Sequence, residues 1–344
     1  MGRYTLTCFL LCLVLVLGMT FTLSAHQAIP GEEEFIAVVL GSGGGPREDD
    51  VSGFMVWPGG KPEEAIFFDP GVLTVGIRKA DEMGNLWDFQ VPPEEDMTRE
   101  GFILQNARAY LISHAHLDHI SAMVINSPDD SPKAIMGTPT TLKNLQEHVF
   151  NWKIWPNFGD AGPEPHLGQY SYIELVDDTA SSIPETSMTV EALELAHDYP
   201  GTSTAFLVEH QGNYILLCGD TGPDEVEGTD HLYRLWQRIT PLIQEGSLRG
   251  IFLEISYTSD RPDDLLFGHL TPHWMMVELR RLAEMVDPDN PEDALEGLRV
   301  VVTHIKPKFV HSPSTRHTVE KELLQLNDLG IHFIIPYQGH RLEF

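Results

Sequence analysis

Ser113-His114-Ala115-His116-Leu117-Asp118-His119 brings three imidazoles and a carboxylate into one short stretch. Ala109-Tyr110-Leu111-Ile112, just before it, is apolar and reads as a buried strand. Ile120-Ser121-Ala122-Met123-Val124-Ile125, just after it, suits the first turns of a helix. A strand that delivers polar side chains into the turn before a helix holds them on rigid backbone and lets them converge. Neutral imidazole and carboxylate suit zinc, manganese or iron, and a set without thiolates is unlike a structural zinc knot. The plain alternative is a run of surface histidines. An apolar strand would then end in unpaired polar groups, so the cluster is read as metal-binding.

The same logic recurs three times downstream. His197 follows Leu193-Glu-Leu-Ala, Asp220 follows Ile215-Leu-Leu-Cys-Gly, and His304 follows Val300-Val-Val-Thr. Strands of one sheet end at one edge, so their last residues can meet in space. Any one of the three alone is more often a turn residue. His210 is the nearby rival to His197, but it sits in a polar hairpin turn and ranks lower.

Composition sets the frame. A hydrophobic content of 42% and a charged content of 21% belong to a globular protein with a full core, and no repeat is visible. Residues 1–25 carry Arg3, an apolar run and the small-residue ending Leu23-Ser24-Ala25, which is the order of a secretory signal peptide. The reading is cleavage after Ala25, one domain over 27–344, and a periplasmic or secreted product. An uncleaved anchor is the alternative, although the run is short for a span of about 20 residues. The net charge of −29 disfavours nucleic acid polymers and anionic membranes as partners. It leaves room for a small anionic substrate, because bound cations can reverse the potential locally. Cys8 and Cys12 would leave with the signal, so Cys218 would remain without a partner for an internal disulfide. A homodimer is left open.

Elsewhere the pattern predicts strands near 34–40, 53–57, 65–68, 134–136, 172–176, 188–196, 205–209, 214–218, 250–255, 300–303 and, last, 332–336. Helices are predicted near 75–84, 97–107, 138–151, 230–245, 272–286 and 312–329. The glycine-rich turn 41–46 lacks the Gly-Lys-Ser/Thr ending of a phosphate loop and is discounted as one. Asp69, in Asp69-Pro70-Gly71, reads as a turn residue that ends a strand. The loop 152–168, with two tryptophans, is read as an ordered loop close to the site, with a packed surface flap as the open alternative. By pattern alone the fold is α/β or α+β.

His114-x-His116-x-Asp118-His119 resembles the signature of the metallo-β-lactamase fold. The longer string through Ile120, Asn126, Ser127 and Pro128 is similar to that of the class II cyclic-nucleotide phosphodiesterases, as are Glu254-Ile-Ser-Tyr257 and Leu266-Phe-Gly-His269-Leu-Thr-Pro272. Ala122 departs from the Gly or Ser usual in that family; it is also small. The resemblance, from about Phe35 to the C-terminus, implies a four-layer αββα sandwich. It implies two divalent metal ions, with zinc expected and manganese or iron as alternatives. His114, His116 and His197 would hold the first, Asp118, His119 and His304 the second, and Asp220 would bridge them. Asp118 would also orient the attacking water or accept its proton, and Asp69 would support the metal loop from behind, a role that weighs evenly with that of a turn residue. His269, oriented by Glu254, would serve the leaving oxygen. The implied reaction is hydrolysis of 3′,5′-cyclic AMP or GMP to the 5′-nucleoside monophosphate, at two metals that share a water. The alternatives are an exported hydrolase of this fold acting on a sulfate ester, lactone or lactam, and a cyclic-nucleotide binder without turnover.

Overall fold

A computed structural model of the protein describes residues 34–176, 179–197, 201–309 and 314–344. The expected signal peptide at 1–25, Asp198, and Ser312-Pro313 at the expected start of the last helix lie outside the described residues. The β-branched and aromatic runs form strands: β1 (Phe35–Gly41), β2 (Gly53–Pro58), β3 (Ile66–Phe68), β4 (Ala109–Leu111), β5 (Lys133–Gly137) and β6 (Tyr170–Glu174). After them come β7 (Ser181–Ser182), β8 (Thr189–Ala196), β9 (Thr202–His210), β10 (Asn213–Cys218), β11 (Leu248–Glu254), β12 (Arg299–Thr303), β13 (His332–Ile334) and β14 (Arg341–Glu343). The helices are α1 (Thr74–Glu82), α2 (Arg99–Asn106), α3 (Leu117–Asn126), α4 (Pro139–Asn144), α5 (Asp224–Glu227), α6 (His231–Gln244), α7 (Pro272–Val286) and α8 (Thr315–Leu326).

Among the described residues the strands form two mixed sheets, ordered β14-β1-β2-β3-β4-β5-β6 and β13-β12-β11-β10-β9-β8-β7. Both faces of each sheet are covered, so the strands read as near-continuous apolar runs. Alternation then sorts side chains between two cores. In β1, Phe35, Ala37 and Val39 join Phe54, Phe206, Phe252 and Val301 between the sheets. Ile36, Val38 and Leu40 face outward with Ile77 of α1, Ile103 of α2, Met123 of α3 and Leu142 of α4. On the other sheet, Val300 and Val302 of β12 pack with Trp236 of α6, Met275 of α7 and Leu323 of α8. The layers are helix, sheet, sheet, helix, as the resemblance implied.

Strand direction is what positions the site. β10, β11 and β12 are parallel, and β8 runs the same way because it and β10 both pair antiparallel with β9. Their C-terminal ends therefore share one rim. β3 and β4 are likewise parallel and end together.

Three expectations need correction. The strand at 332–334 is not the last: β14 follows and pairs with β1 in the other sheet. The helix predicted from 138 gives way after Asn144 to one π-helical turn, Leu145–Val149. The 152–168 loop packs away from the metal cluster. Trp155 Nε1 donates to Ser127 Oγ at 2.9 Å, and Trp152 Nε1 donates to the Pro165 carbonyl at 2.9 Å. The cavity beside the histidines is lined instead by Thr140, Asn144, His148 and Val149.

Candidate metal centre

Each polar residue reaches the rim by its own strand end. β4 delivers Ser113 and His114, and the first turn of α3 carries Asp118 and His119. His116 stands at the N-cap of α3 with no capping hydrogen bond, which leaves its ring for the site. β8, β10 and β12 lead to His197, Asp220 and His304. His114, His116 and His197 offer donor atoms within 4.8 Å of one another, and so do Asp118, His119 and His304. The two sets adjoin: His119 Nε2 lies 3.2 Å from His304 Nε2, and His197 Nε2 lies 3.3 Å from His116 Nδ1. His210, the rival to His197, is at the far end of β9, where its Nδ1 meets Ser187 Oγ at 3.1 Å.

Asp220 sits at the centre. Its Oδ2 is 3.3 Å from His119 Nε2, 3.4 Å from His304 Nε2, 3.8 Å from His197 Nε2 and 4.0 Å from His114 Nε2. His114 Nε2 is sealed from solvent and has no protein hydrogen-bond partner. A buried nitrogen left so is costly unless something outside the chain binds it. The donor set, imidazole and carboxylate only, fits divalent metal ions.

A second layer fixes which nitrogen faces inward. His119 Nδ1 is 2.8 Å from Asp69 Oδ2, His197 Nδ1 is 2.8 Å from the Gly268 carbonyl, His304 Nδ1 is 2.9 Å from Ser256 Oγ, and His114 Nδ1 is 2.9 Å from Ser113 Oγ. With Nδ1 donating outward, these four rings turn Nε2 to the centre; this is how metal-binding imidazoles are oriented. Asp69 also accepts from the Ser113 backbone N–H at 2.8 Å and Ser113 Oγ at 2.6 Å. Of its two sequence readings, the supporting one describes its contacts. Asp69 (φ 47°) and His304 (φ 59°) both adopt the left-handed region, which a non-glycine residue enters at a cost.

The electrostatics are those of a packed charge cluster. Burial opposes the charge on Asp220, yet the imidazoles of His119 and His304 hold its carboxyl well below the usual range. Burial likewise opposes Asp118, and the hydrogen bond with His304 and the charge of His119 drive it far down. Burial pushes His114 well down, with neighbouring His119 adding to the effect. His119 moves the other way: burial disfavours its charge, but Asp220 and Asp69 raise it well above the imidazole norm.

Beside the cluster, Glu254 at the end of β11 is fully buried, and its Oε1 accepts from His269 Nδ1 at 2.7 Å. Burial pushes the Glu254 carboxyl up to about 8 and the His269 imidazole down to about 4, so no imidazolium forms between them. His269 Nε2 lies 2.9 Å from Lys306 Nζ. An ammonium only donates, so Nε2 accepts. His269 as it stands therefore has no proton on that nitrogen, which refines its expected part as proton source.

Three contributors escaped the sequence reading. Gly45, in the discounted glycine turn, donates its N–H to Asp118 Oδ2 at 3.0 Å. Gly44 lies flat on His304, where an added Cβ would fall 2.3 Å from the ring carbon Cε1. Lys306 is the third; a lone lysine two residues past a strand gives no signal by spacing.

Comparison with known proteins bears on this site. The family model for class-II cAMP phosphodiesterases matches residues 81–339. The chain is 37% identical over 331 residues to a 3′,5′-cyclic-nucleotide phosphodiesterase of Aliivibrio fischeri, covering 95% of this chain and 98% of that one. Its fold superposes on the crystal structure of unliganded yeast PDE1 with a TM-score of 0.80 at 25% identity, over 91% of this chain and 100% of that one. The metallo-β-lactamase fold protein YhfI from Bacillus subtilis shares the fold, with a TM-score of 0.56 at 16% identity over 90% and 99% of the two chains.

Proposed function

The chain belongs to the class-II cyclic-nucleotide phosphodiesterase family, and from that membership we infer how its own side chains serve the reaction. It is a metal-dependent hydrolase of the metallo-β-lactamase fold that converts 3′,5′-cyclic nucleotides to 5′-nucleoside monophosphates. The observation that carries the reading is Asp220 Oδ2, at the end of β10, within 4.0 Å of nitrogens of His114, His119, His197, His269 and His304.

We assign His114, His116 and His197 to one divalent ion, Asp118, His119 and His304 to another, and Asp220 to both. Zinc is our choice for both ions, from the imidazole-rich donor set. When bound, the pair supplies positive charge for the phosphoryl oxygens and makes a water nucleophilic at neutral pH. Asp118, anionic and anchored by Gly45, accepts a hydrogen bond from the attacking water and orients it. Its strongly lowered carboxyl makes it a poor resting place for that proton. Glu254 and His269 form a buried prop at the edge of the cluster. As water bonds to phosphorus, the P–O3′ bond breaks, and the prop positions the donor to the oxygen that leaves.

We further propose that residues 1–25 are a cleaved signal and that the enzyme works outside the cytoplasm; the apolar run and the Leu23-Ser24-Ala25 ending support this. N-terminal sequencing of the exported protein tests it, and a retained residue 1 contradicts it. For the activity, purified protein is incubated with cAMP and cGMP, with and without chelator, and the product is identified by chromatography. Chelator-sensitive release of 5′-AMP or 5′-GMP is expected. Cleavage indifferent to chelator, or release of a 3′-monophosphate, contradicts the reading.

A further inference from the structure

We propose that Lys306 is a catalytic residue of this enzyme and donates a hydrogen bond to the oxygen that leaves phosphorus. The inference rests on the phosphodiesterase reading above.

Lys306 is held from several sides. Its backbone N–H donates to the Ser256 carbonyl at 3.2 Å, and Ser256 Oγ in turn meets His304 Nδ1. Its stem lies over Gly45, where an added Cβ would stand 3.6 Å from Lys306 Cδ and 3.9 Å from Cε. Gly45 is also the residue whose N–H anchors Asp118. Nζ lies 2.9 Å from His269 Nε2 and 5.8 Å from the centre of the Tyr257 ring, and the His269 ring stacks on that of His304 with centroids 5.4 Å apart. Glu254 locks His269 from behind, so the three side chains form one row, Glu254–His269–Lys306.

Charge makes the position telling. The protein has an excess of 29 negative charges, yet among the described residues Lys306 forms no ion pair with a carboxylate. Its ammonium donates a hydrogen bond to the His269 ring. A half-buried cation without a paired carboxylate among the described residues is well placed to receive an anion. A cyclic phosphodiester brings that anion. An ammonium has three donors; one engages His269 Nε2, and the others are available to substrate.

The reaction needs such a donor. When water bonds to phosphorus and P–O3′ breaks, the bonding electron pair passes to O3′. A ribose alkoxide is a poor leaving group without stabilisation. The Lys306 N–H bond carries that developing charge; O3′ then takes its proton from solvent, and the attacking water gives up its proton to solvent. Donors aimed at developing charge contribute about 10²–10³ in rate. His269 and Glu254 are positioning residues in this scheme, because they act through Lys306.

The test is Lys306→Met, which keeps length and removes charge, beside Lys306→Arg, which keeps charge. Each is compared with wild type for bound metal, for kcat and KM on cAMP, and on bis(p-nitrophenyl) phosphate, whose phenolate leaves without help. Expected for Lys306→Met are unchanged metal content, a higher KM on both anionic substrates, a fall in kcat on cAMP of about 100-fold or more, and a far smaller fall in kcat on the phenyl ester. Lys306→Arg should recover part of the loss on cAMP. Equal losses on both substrates, or none on cAMP, overturn the assignment. A wild-type protein inactive on cAMP and cGMP but active on the phenyl ester contradicts the substrate reading itself, which is a separate result.

Discussion

Asp69 Oδ2 lies 2.8 Å from His119 Nδ1, and both side chains are sealed from solvent. The carboxylate thereby sets the tautomer and angle of a ring whose other nitrogen faces Asp220 at 3.3 Å. Replacing Asp69 by Ala should weaken metal binding by about 10–100-fold. Competition with a chromogenic chelator measures this, and an unchanged affinity would mean that Asp69 is only a turn residue.

The same pair makes metal binding pH-dependent. Asp220 and Asp69, against the opposing effect of burial, raise His119 well above the ordinary imidazole value, so the metal-free ring keeps its proton into the neutral range. A ligand nitrogen must be deprotonated to bind metal. Metal uptake should therefore release protons, and affinity should climb as pH rises and weaken as it falls. Calorimetry in two buffers with different ionisation heats reads the protons released. A binding heat independent of buffer would contradict a protonated His119.

Gly44 bears on the site through bare proximity. Any Cβ there would fall 2.3 Å from Cε1 of His304, a ring held from behind by Ser256 Oγ. Gly44→Ala should displace the ring or the loop and lower metal affinity by about tenfold or more, in the range seen when a ligand's support is lost. Gly60→Ala is the control for the loss of a glycine in general; its Cβ meets nothing within 4 Å, although its φ of 75° adds local strain. Equal metal affinity in Gly44→Ala and wild type would show that the loop yields freely.

His269→Ala and Glu254→Gln separate turnover from metal binding. His269 Nδ1 bonds Glu254, and its Nε2 meets Lys306. Both variants should keep their metal and lose turnover on cAMP, by about 100-fold for His269→Ala. Loss of metal in either, measured by elemental analysis, would make the pair part of the ligand set.

Much of this arrangement was legible in the chain, for a definite reason. His197, Asp220 and His304 each close an apolar strand, and β8, β10 and β12 run the same way, so strand-end logic brings them to one rim. β14 was not legible: Leu342 and Phe344 alternate with Arg341 and Glu343, but the strand is too short for that alternation to stand out, and it forms where β1 offers it an edge. The 41–46 turn lacks the ending of a phosphate loop, and its close approach to Asp118 and His304 depends on chain packing that no local pattern encodes. Lys306 was silent for the same reason, since its partner, His269, is 37 residues away.

The most direct test is a titration. Protein stripped with chelator is given back zinc in steps while cAMP hydrolysis is followed and bound metal is counted. Activity should be absent at the start and level off at about two ions per chain, with Asp220→Ala failing to reach that plateau. Full turnover by the stripped protein, or a plateau at one ion, would contradict a paired centre gathered around Asp220.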